Sequence, residues 1–159
     1  ETRCTGRIGA VSLDNIFVPD GASCVLNRTR ANGNIVVGTG ATLLATSVSI
    51  NGNLQAEGAQ SVRVYGSSTF GGSIQIEQGG SASIERARVN GDIQFDENTG
   101  ALNASDNVVG GNLQVVKNYG GVTLTNNRMK GNLQCKENEP APTGGGNQAA
   151  SKEDQCRRL

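Results

Sequence analysis

Aliphatic residues recur along this chain in a short alternating pattern that restarts every 19 or 20 positions. One tetrapeptide marks each restart: Gly33-Asn-Ile-Val, Gly52-Asn-Leu-Gln, Gly72-Ser-Ile-Gln, Gly91-Asp-Ile-Gln, Gly111-Asn-Leu-Gln and Gly131-Asn-Leu-Gln. A degenerate copy, Asp14-Asn-Ile-Phe, precedes them. Two residues into each copy stands an aliphatic: Ile16, Ile35, Leu54, Ile74, Ile93, Leu113 and Leu133. Two further on stands Val18, Val37, Ala56, Ile76, Phe95, Val115 or Cys135. Between these fall Phe17 and Val36, then Gln55, Gln75, Gln94, Gln114 and Gln134. Period-two alternation predicts a strand with one buried face. A second alternating run follows each turn, as in Val62/Val64 and Leu102/Ala104. A third short segment ends in Ile50, Phe70, Val89, Val109 or Met129. Each repeat therefore predicts two or three short strands joined by tight turns.

Helical repeats need roughly 30–45 residues per unit and helix-forming residues, whereas this chain is rich in Gly, Asn, Ser, Thr and Val. A leucine-rich repeat would show a Leu-x-x-Leu-x-Leu spine, which is missing here. The pattern predicts an all-β fold, a right-handed parallel β-helix of about seven coils of 19–20 residues. Residues 1–159 read as one domain. Residues 1–13 form an N-terminal strand or cap, 14–138 the coils, and 139–159 a C-terminal loop or cap. The repeat glycine is expected at a sharp bend with positive φ. The residue after it forms a ladder of Asn15, Asn34, Asn53, Ser73, Asp92, Asn112 and Asn132, which Asp92 interrupts with a charge.

Composition narrows the chemistry. The chain has no His and no Trp, so a Ser-His-Asp triad, a Cys-His dyad and a His-ligated metal are all excluded. Fourteen Lys and Arg balance fourteen Asp and Glu, which argues against nucleic-acid binding. No apolar run approaches the ~18 residues of a membrane span. No cofactor or metal site is expected. The start at Glu1 rather than Met predicts a secreted or cell-surface protein after removal of a signal peptide.

Four cysteines fit an oxidising compartment. Cys4 and Cys24, and Cys135 and Cys156, are each separated by about one coil. Stacked coils would bring each pair within disulfide distance, so Cys4–Cys24 and Cys135–Cys156 are proposed, with other pairings of four cysteines left open. Both pairs sit at the ends, where a solenoid exposes unpaired strand edges. Nothing amphipathic and helical covers the first coil, and the tail from Glu139 leaves the repeat with Pro140-Ala-Pro142 and Gly144-Gly-Gly146.

The Gly-Asn-Leu-Gln coils and the ending GNLQCKENEPAPTGGGNQAASKEDQC resemble bacterial exported proteins of the right-handed parallel β-helix repeat type. That resemblance implies fold and export but no established activity. It extends to the pectate-lyase superfamily in fold only.

The leading functional expectation is a structural protein without enzymatic activity. It would self-assemble end to end with other copies into an extracellular filament or matrix. The end-coil residues Phe17, Val18, Leu133 and Gln134 are the expected assembly elements. The alternative is a monomeric module that binds a surface polysaccharide, with the outward Gln ladder (Gln55, Gln75, Gln94, Gln114, Gln134) as its face. A carbohydrate-active enzyme ranks last. It would draw on Glu85, Asp92, Asp96, Glu97 and Asp106 with Arg86 and Arg88, and no insertion exists to build its groove.

Overall fold

The computed structural model describes every residue from Glu1 to Leu159. It is all β, a parallel solenoid of about eight turns in which the chain winds past three sheets in succession. Sheet 1 stacks β1 (Thr2–Arg3), β4 (Ile16–Val18), β7 (Ile35–Val37), β10 (Leu54–Glu57), β13 (Ile74–Glu77), β16 (Ile93–Asp96), β19 (Leu113–Val116), β22 (Leu133–Lys136) and β24 (Lys152–Asp154). Sheet 2 stacks β2 (Arg7–Ile8), β5 (Ser23–Asn27), β8 (Thr42–Thr46), β11 (Ser61–Tyr65), β14 (Ser81–Glu85), β17 (Leu102–Ser105), β20 (Val122–Thr125) and β23 (Thr143–Gly145). Sheet 3 stacks β3 (Ser12–Leu13), β6 (Arg30–Ala31), β9 (Ser49–Ile50), β12 (Thr69–Phe70), β15 (Arg88–Val89), β18 (Val108–Val109) and β21 (Arg128–Met129). Turn 1 is β1–β3, turn 2 is β4–β6, and so on to turn 8, which begins at β22. At ~4.8 Å per turn the rod is on the order of 40 Å long.

The alternation sets the architecture. Leu54 pairs with Ile35 on one side and Ile74 on the other, so like residues stack in columns along the axis. Inward columns merge into one core of 38 buried residues. Two positions of different size fill each turn to similar volume: Phe70 shares turn 4 with Ala56, and Phe95 shares turn 6 with Ala104. Parallel strands buried on one face keep their outward positions for polar residues, and the Gln column takes that place in sheet 1.

The solenoid has one turn more than the repeat predicts. The extra turn is the first. Thr2 pairs with Ile16 rather than with a residue 19 or 20 positions on, and no Gly-Asn signature marks it. The tail, expected to leave the repeat, still stacks. β23 pairs with β20, β24 pairs with β22, and Gln148 bridges to Arg128. Pro142 is buried, in line with Val122 and Leu102.

Both disulfides join adjacent turns, Cys4–Cys24 and Cys135–Cys156, each with Cα atoms 5.4 Å apart. They indicate an oxidising environment. No helix is long and apolar enough to cross a membrane.

Candidate functional site

The three corners between the sheets carry nearly all the organised polar chemistry. Where sheet 3 passes to sheet 1, the outer ladder forms as expected. Asn15 Oδ1 accepts from the Asn34 N–H at 2.8 Å, Asn34 Oδ1 from Asn53 at 2.7 Å, and Asn53 Oδ1 from Ser73 at 2.7 Å. Ser73 Oγ then accepts from the Asp92 N–H, Asp92 Oδ1 from Asn112, and Asn112 Oδ1 from Asn132. The charge of Asp92 does not interrupt the ladder, because this position needs only an acceptor.

The repeat glycine has a different cause from the one expected. Gly33, Gly52, Gly72, Gly91, Gly111 and Gly131 do not have positive φ. Each lies beneath the ladder oxygen of the preceding turn: a Cβ on Gly111 would overlap Asp92 Oδ1, and one on Gly33 would overlap Asn15 Oδ1. Steric exclusion, and not backbone freedom, requires the glycine. Positive φ falls instead at the other two corners, on glycines such as Gly58 (73°) and Gly66 (73°) and on non-glycine residues, among them Glu97 (58°), Lys117 (55°), Asp106 (57°) and Asn126 (56°). Gly111→Ala is therefore expected to cost about 2 kcal/mol by overpacking. In an Asp92→Ala background the nearest remaining atom is the Gly91 carbonyl oxygen at 3.1 Å, and the cost should fall below about 1 kcal/mol. Urea unfolding of the four-member cycle measures this; additive effects would disprove the ladder explanation.

Two further ladders lie inside the rod and escaped the sequence reading. Between sheets 1 and 2, Asn98, Asn118 and Asn138 are buried; between sheets 2 and 3, Asn107, Asn127 and Asn147 are buried. Asn118 Oδ1 accepts from both the N–H and the Nδ2 of Asn98, each at 3.0 Å, while Asn118 Nδ2 donates to the Phe95 carbonyl and to Asn138 Oδ1. The Asn107 series repeats this arrangement, with Asn127 Nδ2 donating to the Ala104 carbonyl at 2.9 Å. No buried side-chain nitrogen or oxygen lacks a partner, which is the condition for such a network to stabilise rather than weaken a core. The signal was available as an Asn recurring every 20 residues one place after a charged residue, Asn or Gly, hidden by the chain's general richness in Asn.

The Gln column is bonded along the axis. Gln55 Nε2 donates to Gln75 Oε1 at 3.3 Å, Gln75 to Gln94 at 3.1 Å, Gln94 to Gln114 at 2.8 Å and Gln114 to Gln134 at 2.8 Å. Each amide is thereby engaged with its neighbours. A shallow depression of about 760 Å³ runs beside the column and includes Val36, Gln55, Glu57, Gln75 and Glu77 in its lining.

The acidic residues do not converge. Asp92 stands at the sheet 3–sheet 1 corner, Asp96 and Glu97 at the sheet 1–sheet 2 corner, and Glu85 and Asp106 with Arg86 at the sheet 2–sheet 3 corner. Arg88 lies in sheet 3. No three Cys, Asp or Glu side chains are grouped so as to hold a metal ion.

The two ends differ. At the N-terminal end β1, β2 and β3 each have a neighbour on one side only. Ile8 and Leu13 are half-buried there, and Val11 is 49 % exposed. At the other end the segment Gln155–Leu159 crosses the opening. Gln155 Oε1 accepts from the Asn138 N–H and Nδ2, and the Leu159 carbonyl accepts from the Asn147 N–H and Nδ2. These two residues supply the acceptors that a further turn would have supplied, so both inner ladders end satisfied. Phe17, Val18, Leu133 and Gln134, expected as the assembly elements of the end coils, sit one layer inside. Phe17 is half-buried beneath Arg3, whose guanidinium carbon is 5.8 Å from the ring centroid. Val18 and Leu133 are fully buried, and Gln134 pairs with Glu153 of β24. A lysine at Val18 or Leu133 would therefore probe the core rather than the ends.

Comparison with protein-family models, with curated proteins and with solved structures returns no match. The functional reading rests on the geometry of this chain.

Proposed function

We propose that the protein is a secreted, non-catalytic structural unit that assembles end to end into an extracellular filament or matrix. The carrying observation is the N-terminal turn, whose three strands have open edges above a partly exposed apolar layer of Ile8, Val11 and Leu13. Such edges are templates for pairing with another chain. The resemblance to exported bacterial β-helix proteins and the two disulfides support the secreted setting.

Charge supports a head-to-tail joint over a head-to-head one. Arg3 and Glu153 occupy the same outward column of sheet 1, at opposite ends of the rod. A head-to-tail contact sets them against each other and does not close on itself, which gives a chain of rods. A head-to-head contact would gather Arg3 and Arg7 of both copies at one joint.

Negative-stain microscopy with light scattering tests this. Wild-type protein should form threads of uniform width. Arg3→Glu should shorten them, and adding Glu153→Arg to that variant should restore them. Wild-type particles that stay at 16.4 kDa, the mass of one chain, would refute assembly. They would direct attention to the depression beside the Gln column as a polysaccharide site.

A further inference from the structure

The zero net charge conceals a segregation of charge across the rod. The chain carries fourteen cationic and fourteen anionic side chains, yet the fold forms a single ion pair, Lys117–Glu137 at 3.9 Å. Many of the remaining charges sort by corner. Along the sheet 1–sheet 2 corner run Asp20, Glu57, Glu77, Asp96, Glu97 and Glu137, with Lys117 and Lys136 as the cations among them. Along the sheet 2–sheet 3 corner and into sheet 3 run Arg28, Arg30, Arg86, Arg88 and Arg128, all exposed, against Glu85 and Asp106. Sheet 2, at most five residues wide, separates the two edges by roughly 17 Å. A basic edge thus exists that the balanced composition did not reveal.

We propose that copies of this rod associate side by side, the basic edge of one against the acidic edge of the next. Three observations carry this. The two edges are complementary in sign. Their charges have almost no partners within the chain. They also face each other on two levels when neighbouring rods point the same way: Arg28 and Arg30 lie on turn 2 with Asp20, and Arg86 and Arg88 on turn 5 with Glu77, while Arg128 shares turn 7 with Lys117. The contact uses two different surfaces and does not close, so it extends into a ribbon of parallel rods. This rests on the structural-unit reading and adds a second, lateral direction to it. The contacts are exposed, so they weaken as salt shortens the screening length from about 30 Å at ~0.01 M to about 3 Å at ~1 M.

The test is a charge-swap pair. One variant reverses the basic edge with Arg86→Glu and Arg88→Glu. The other reverses the acidic edge with Glu77→Lys and Glu97→Lys. Arg86, Arg88 and Glu97 are exposed and Glu77 is half-buried, and the positive-φ positions 86 and 97 receive residue types already found at positive φ in Glu137 and Lys117. Sedimentation velocity at ~0.01 M salt should show lateral association of wild type that disappears at ~1 M salt. Each variant alone should associate at least tenfold more weakly, as should the neutral Arg86→Gln, Arg88→Gln version. An equimolar mixture of the two reversed variants should associate again. Circular dichroism of every variant must match wild type. The proposal is overturned if wild type stays unassociated at ~0.01 M salt, if the variants associate like wild type, or if the mixture fails to recover. It is also overturned if the basic edge captures polyglutamate while no rod captures another. Microscopy separates this from the end-to-end reading. Edge variants should leave single threads at full length but unbundled, whereas Arg3→Glu shortens threads without altering their bundling.

Discussion

Asn118→Ala should remove about 4 kcal/mol of stability, a large part of the 5–15 kcal/mol that holds a typical domain. The truncation deprives the Asn98 N–H of its acceptor, the Asn98 amide of one of its two partners, and the Phe95 carbonyl of a donor. All of these lie inside the rod, where water cannot replace the lost partner, and each orphaned buried group costs about 1–3 kcal/mol. The adjoining exposed ladder provides the control. Asn112 is half-buried and its Oδ1 receives one bond, from the Asn132 N–H, so Asn112→Ala should cost only about 1 kcal/mol. Urea midpoints for the two variants give the comparison. Equal losses would mean that the buried ladder is not the stabilising element it is argued to be.

The second large effect concerns the bridges. Each disulfide closes a loop of 20 or 21 residues, and loop-closure entropy assigns about 3 kcal/mol to each. Their loss should not be uniform along the rod. Cys135→Ser with Cys156→Ser frees the segment that carries Gln155 and Leu159, exposing the last members of both inner ladders to water. Cys4→Ser with Cys24→Ser frees turn 1, which has one neighbouring turn. Reductant should lower the melting temperature by more than 10 °C. Hydrogen exchange should then quicken first at turns 1 and 8 while turns 3 to 6 stay protected. An unchanged melting temperature, together with free thiols in untreated protein, would show that the bridges do not form.

The fold was legible because a solenoid writes one turn of structure as one period of sequence. Ile35, Leu54, Ile74 and their equivalents announce the inward columns, and the cysteine spacing announces which turns are joined. Three things were not legible, each for a physical reason. Turn 1 is short, with Thr2 only 14 positions before its partner Ile16, so it falls outside the 19–20-residue period. The buried Asn columns look like turn residues, since Asn is also the commonest occupant of exposed bends; burial is what changes their role, and burial is not local. The charged edges were invisible because net charge sums over the rod, whereas a partner meets one edge at a time. Because turn 1 falls outside the period, Phe17 and Val18, expected on the first coil, belong to the second turn.

The inner ladders bear on how such a chain can change its length. Asn98, Asn118 and Asn138 each donate from Nδ2 to a carbonyl of the turn before and from the backbone N–H to a side-chain amide oxygen ahead. Removing residues 99–118 would place Asn98 directly against Asn138, with every type of inner-ladder contact conserved, the Lys117–Glu137 ion pair lost and the number of turns reduced by one. Duplicating the same stretch would lengthen the rod by ~4.8 Å and leave the open N-terminal turn and the closing C-terminal segment untouched. Stability in such an array adds turn by turn, so a gene can set the reach of this protein in fixed increments by slippage of whole repeats, without redesigning either end.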